Sequence, residues 1–124
     1  MLQFVLVGLG GAVGAMGRYG LSLIPLKSDF PAITLLTNIL GALLIGAVIG
    51  LAAAGDRPSA NFLLFLRVGV CGGFTTFSTF SSDSLRLLEN GRPLPAIVYI
   101  CASVILCIAG VWLGKSGIRL VCGK

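Results

Sequence analysis

Cys71-Gly-Gly-Phe-Thr-Thr-Phe-Ser-Thr-Phe-Ser81 sets two adjacent glycines and a run of hydroxyl and phenyl side chains inside an apolar stretch long enough to cross a bilayer. Gly72 and Gly73 weaken a helix by freeing its backbone, so the third span is expected to break near this pair. In lipid, each amide or carbonyl released by such a break must find a partner in protein, water or an ion. Beyond the glycines, Phe74, Phe77 and Phe80 recur every three residues, and Thr75, Ser78 and Ser81 follow one position later. As a helix, this segment carries a phenylalanine strip beside a hydroxyl strip.

Working outward, the 124 residues are 56% hydrophobic, with nine Lys or Arg, four Asp or Glu and no histidine, and mean hydropathy is +1.04. An apolar helix needs roughly 20 residues to cross the hydrocarbon core. Four segments qualify: about 3–24, 32–54, 62–82 (continuing as an amphipathic stretch to about 89) and 94–114. The connections carry breakers, namely Pro25 and Pro31, then Gly55-Asp-Arg-Pro58, then Asn90-Gly-Arg-Pro93. The expectation is an all-α, multi-pass protein of the cell membrane, with residues 1–124 as a single four-span domain. Met1-Leu-Gln-Phe has no basic region ahead of its apolar run and reads as the start of the first span, not as a removed signal.

Four spans put both ends on one side. That side carries Arg57, Arg67, Lys115, Arg119 and Lys124, and the other carries Arg18, Lys27, Arg86 and Arg92. Orientation follows the bias of Lys and Arg among short loops, and five against four is almost no bias. Either something else decides the topology, or the chain inserts both ways and pairs with an inverted copy. The net charge of +5 reads as membrane-flank charge, with no surface for nucleic acid. Cys71, Cys101, Cys107 and Cys122 have no CxxC spacing and read as packing residues.

Gly10 and Gly14, Gly46 and Gly50, and Gly110 and Gly114 form GxxxG pairs that let helices approach closely. Four thin helices enclose little alone, which points to an oligomer, most simply a homodimer. Polar groups within the spans are few, and each is expensive in lipid. Asn38 can present amide donors to an anion or hydrogen-bond another helix. Arg18 can snorkel to the interface, draw anions to a pore mouth or pair with Asp83. Arg67 and Arg86 fit the two ends of the third span. Tyr99 and Ser103 lie one turn apart on one helix face and can extend a polar lining.

Two chemistries suit the 71–81 stretch. Carbonyls at the end of a half-helix hold cations, and Gly72 and Thr75 are placed to offer them. Phenyl rings are positive at the edge and negative on the face, so Phe77 and Phe80 presented edge-on favour a small desolvated anion, with Thr79, Ser78 or Asn38 donating. Three phenylalanines at helical spacing also serve as packing. The sequence contains neither HExxH nor paired carboxylates, so no enzyme is expected. A proton-coupled multidrug exporter needs an acidic residue deep in a span, and the nearest to one is Asp83, near the end of the third. A non-transporting assembly subunit is the remaining alternative.

The stretch GVCGGFTTFSTFS, with Asn38 in TLLTNILGALLIG and GAMGRY in the first span, resembles the CrcB or Fluc family of fluoride channels over nearly the whole chain. The resemblance implies an antiparallel, dual-topology homodimer exporting cytoplasmic fluoride passively, with a central structural sodium ion. It implies carbonyl ligands for sodium from Gly72 and Thr75 of both subunits. For the fluoride pathway it implies Phe77 and Phe80 from opposite subunits with Asn38 nearby, Tyr99 and Ser103 as lining, and Ser81 on the hydroxyl track. Arg18 falls at the implied vestibule. The chain departs from the usual pattern at Ile33, Thr37, Phe74 and Asp83.

Overall fold

The computed structural model describes residues 1–53 and 58–122. Four helical stretches are long and apolar enough to cross a membrane: Leu2–Ser22, Ala32–Ala53, Ala60–Glu89 and Pro93–Val121. The first, second and fourth are continuous helices, here α1 (Leu2–Ser22), α2 (Ala32–Ala53) and α6 (Pro93–Val121). The third is composite: α3 (Ala60–Leu64), a π-helical segment (Phe65–Cys71), α4 (Gly72–Phe74) and α5 (Phe77–Glu89). No strand occurs among the described residues.

The ends follow local chemistry. Ser59 caps α3 by accepting the Phe62 amide at 3.3 Å. Pro93 opens α6 at the first helical turn, where its missing N–H costs nothing. Between α5 and α6 the chain reverses at Gly91, whose φ of +67° favours glycine. With 29 residues, α6 reaches roughly 43 Å at 1.5 Å per residue. That exceeds the roughly 30 Å of hydrocarbon, so its last turns carry Lys115 and Arg119 beyond the span expected to end near residue 114.

Glycines set the helix contacts. A Cβ on Gly10 would lie 2.6 Å from the Phe65 carbonyl oxygen and 2.9 Å from Gly69 Cα, and one on Gly14 would lie 2.7 Å from the Phe74 amide nitrogen. The first GxxxG pair therefore seats α1 against a second such pair, Gly69 and Gly73, on the third span. Gly46 faces the Val111 backbone and Gly114 faces the Leu43 backbone, which joins α2 to α6 in the same way.

The internal core is small. Leu87, Ala96 and Tyr99 are buried, with Phe30, Leu35 and Phe80 packed around them. Large apolar side chains instead face outward, among them Phe4, Ile108 and Trp112, as suits a surface solvated by lipid.

The helix break differs from expectation. Gly72 has helical dihedrals (φ −64°, ψ −38°), and the chain leaves the helix only at Thr75 (φ −80°, ψ 155°) and Thr76 (φ −148°, ψ 115°). Gly73 serves close packing, since a Cβ there would meet the Gly11 backbone. The phenylalanine strip is also shorter than its spacing predicts. Phe74 lies before the break and packs toward Gly17 and Gly41, leaving Phe77 and Phe80 as the pair on α5.

Candidate functional site

Breaking a helix at Thr75 and Thr76 releases backbone groups, and nearby side chains take up most of them. Asn38, from the first third of α2, closes a two-point bridge: its Oδ1 accepts the Thr76 amide at 2.9 Å, and its Nδ2 donates to the Thr76 carbonyl at 3.3 Å. Thr76 then caps α5, its Oγ1 accepting the Thr79 amide at 3.1 Å. The same hydroxyl lies 3.0 Å from Thr79 Oγ1. Arg18 Nε donates to the Gly73 carbonyl at 3.2 Å. Of the two uses open to Asn38, the interhelical one is realised, and it engages only one of the two amide hydrogens.

Two carbonyls lose their helical donors in this arrangement. The Thr76 amide, which would close onto Gly72 in a continuous helix, goes to Asn38. The Thr79 amide, which would close onto Thr75, goes to Thr76 Oγ1. The Thr75 amide and hydroxyl both fall on the Cys71 carbonyl, at 3.0 and 2.9 Å. The Gly72 and Thr75 carbonyls thus combine oxygen-donor chemistry with freedom from their usual partners.

Two hollows flank the break. One is an open groove of about 390 Å³ between α2, the third span and α6, and its lining includes Asn38, Gly72, Thr75, Phe77, Phe80 and Ser103. The other, about 250 Å³, lies on the α1 side and is lined by Arg18, Thr34, Thr37, Thr76 and Thr79 among others. Thr76 borders both hollows. Asn38 and Thr76 together therefore form the partition between a cavity with an arginine at its wall and a groove with phenyl rings at its wall.

The rings stand in series. Phe77 and Phe80 have centroids 5.4 Å apart at 41°, Phe80 and Tyr99 repeat that distance and tilt, and Phe30 meets Tyr99 edge-on at 5.6 Å and 87°. Phe77 is 80% exposed, whereas Tyr99 is wholly buried. Tyr99 Oη and Ser103 Oγ are buried without a hydrogen-bond partner among the described residues. An orphaned hydroxyl of this kind is costly, and two of them beside one ring series mark a path where a polar species gains contacts.

Ser78 and Ser81 lie outside both hollows. Each is exposed, and Ser81 spends its hydroxyl on the Phe77 carbonyl at 2.9 Å. The cause is rotation, since α5 turns Phe80, Ser84 and Leu87 inward. The pairing of Arg18 with Asp83 is not formed either: Asp83 accepts from Thr34 Oγ1 at 2.7 Å and meets Arg86 at 3.4 Å. Thr76, which borders both hollows, is the residue of the break that the sequence reading passed over. Its signal was a threonine placed three residues ahead of a second hydroxyl at a helix start.

A family model described as "CrcB-like protein, Camphor Resistance (CrcB)" matches residues 5–115. A protein of Methylobacterium radiotolerans named "Fluoride-specific ion channel FluC" is 44% identical over 114 residues, covering 89% of this chain and 80% of the relative. A protein of the same name from Ruminiclostridium cellulolyticum is 43% identical over 118 residues, covering 93% and 91%. Another, from Pyrococcus abyssi, is 40% identical over 107 residues, covering 86% and 87%. The matched length reaches all four spans and takes in both hollows and the break between them, and the chain belongs to the CrcB-like family.

Proposed function

We propose that this protein is a passive, fluoride-selective channel that lets fluoride leave the cytoplasm, and that it works as an antiparallel homodimer. The observation that carries the proposal is the Thr75–Thr76 break, held open by Asn38 and placed between the Arg18 cavity and the Phe77–Phe80 groove. Relatives that share the four spans bear the name of a fluoride channel. A small anion leaving water needs hydrogen-bond donors and positive dipole ends, each too weak to trap it. The spare Asn38 amide hydrogen, the Thr79 and Ser103 hydroxyls and the Tyr99 phenol supply donors, and the tilted Phe77 and Phe80 rings supply edges.

The dimer follows from what one chain leaves open. Phe77, 80% exposed beside a groove that a single chain does not close, needs cover, and a second copy gives it. Near-equal basic charge on the two sides supports inverted pairing. In that pairing Ser78 and Ser81, outward in one chain, can face the partner. The Gly72 and Thr75 carbonyls, free of helical donors, fit a sodium ion, and a two-fold copy doubles them. When bound, such an ion ties the two breaks together as a structural element. Asp83, engaged by Thr34 and Arg86 near the end of its span, gives no support to proton-coupled export.

Fluoride efflux from liposomes holding the purified protein, with a potassium ionophore dissipating voltage, tests the proposal. Fluoride is expected to leave and chloride to stay. Replacing both Phe77 and Phe80 by isoleucine is expected to slow fluoride by about tenfold or more, from two lost ring contacts of about 0.5–1.5 kcal/mol each. Equal release of both ions, or no release from vesicles holding folded protein, refutes it.

A further inference from the structure

Arg67 has no part in the site described so far, yet it lines the same groove as Asn38, Phe77, Phe80 and Ser103. It lies seven residues past the start of α3, roughly 10 Å along the span at helical rise. Its side chain is exposed, and it makes no ion pair or side-chain hydrogen bond among the described residues. A guanidinium at this depth needs water, an anion or a headgroup to solvate it. Among the described residues, no carboxylate lines the groove.

We infer that Arg67 forms a second anion station, at the end of the groove away from Phe80, which holds a small monovalent anion such as fluoride. This rests on the groove being the channel's conduit. Arg18 stands in the cavity across the Asn38–Thr76 partition, so an anion crossing one chain meets a guanidinium on either side of it. Along the third span, 13 residues separate Arg67 from Phe80, which puts the new station roughly 15–20 Å from the rings. A charge there raises the local anion concentration without touching the selective contacts. Arg67 also borders an apolar hollow lined by Ile45, Leu63, Leu64 and Val68, so a lipid phosphate is the competing occupant.

The test is the dependence of efflux rate on fluoride concentration, measured for the full chain in zwitterionic vesicles with wild type, R67K, R67Q and R67M. R67M keeps the unbranched apolar stem and guards against misfolding of R67Q. The concentration giving half-maximal efflux is expected to rise about threefold or more in R67Q and R67M, the size of a partly screened charge contact. R67K is expected to stay near wild type, and exclusion of chloride is expected to hold in all four. An unchanged concentration dependence in folded R67Q or R67M overturns the station. A defect that appears only when anionic lipid is added also overturns it, by assigning Arg67 to a lipid phosphate. Absence of fluoride efflux from the wild type instead condemns the channel reading itself.

Discussion

Replacing Asn38 with alanine removes both halves of the bridge that holds the break in place. The Thr76 amide loses an acceptor at 2.9 Å and the Thr76 carbonyl loses a donor at 3.3 Å. A buried polar group left unsatisfied costs about 1–3 kcal/mol. Thr76 is half-buried and borders two hollows that admit water, which recovers part of the loss, so about 2–3 kcal/mol remains for the pair. That free energy is about a 30- to 150-fold increase in local opening. Hydrogen exchange of the 71–81 segment in micelles reads it directly, with the buried turn around Tyr99 as internal reference. The Thr76 amide in N38A is expected to exchange faster by that factor while the Tyr99 region is unchanged. N38D separates the two bonds: it keeps an acceptor for the Thr76 amide but opposes the Thr76 carbonyl with a second oxygen. Its exchange is expected to fall between wild type and N38A, and its fluoride efflux below both, because a carboxylate on the partition repels the anion. Equal protection of Thr76 in N38A and wild type would show that Asn38 does not hold the break.

Gly14→Ala is expected to prevent folding, read as loss of the wild-type peak on size exclusion, because the added carbon meets backbone at 2.7 Å; Gly8→Ala, with nothing within 4 Å among the described residues, is expected to elute as wild type. Tyr99→Phe removes a buried hydroxyl that has no partner among the described residues; thermal stability in micelles is expected to hold or rise by about 1 kcal/mol, while fluoride efflux falls. Loss of stability with full efflux would contradict a role for the phenol as an anion donor. Asp83→Asn keeps an acceptor for Thr34 and is expected to change stability by less than Asp83→Ala, which costs about 1 kcal/mol. Arg86→Gln is expected to cost under about 0.5 kcal/mol, since its partner contact is 3.4 Å and the arginine is 59% exposed.

The spans were legible because their signal is local: unbroken apolar runs of sufficient length, bounded by Pro25, Pro58, Gly91 and Pro93. Asn38, Gly72, Thr75, Phe77, Phe80 and Ser103, singled out in the sequence, line one groove; the polar ones stand out because polarity at membrane depth is costly. Their arrangement was not legible. Whether Arg18 reaches Asp83 or the Gly73 carbonyl depends on the angle at which α1 crosses the third span, and that angle is fixed by Gly10 and Gly14 meeting Gly69 and Gly73. The hydroxyls do not share one face of α5, because a three-residue step drifts by about 60° per repeat on a helix of 3.6 residues per turn. Thr75 lies before the break and outside that helix, and Ser78 and Ser81 turn outward.

The displacement of the break from the glycines to the threonines has a physical cause with functional weight. A flexible residue permits a break, but in lipid a break persists only where its freed groups are bound. Gly72 and Gly73 have no side chains with which to bind them, and Gly73 is already committed to contact with Gly11. Thr76 carries a hydroxyl that caps α5 and sits within reach of Asn38, so the chain opens where polar partners are present. The accounting at that point is incomplete in a directed way. The Thr76 amide and carbonyl and the Thr79 amide are bound, whereas the Gly72 and Thr75 carbonyls and the buried hydroxyls of Tyr99 and Ser103 are left over. The leftovers divide by chemistry: oxygens able only to accept, suited to a cation, and hydroxyls able to donate, suited to an anion. A helix broken at its glycines would have released the same backbone groups with no means of sorting them.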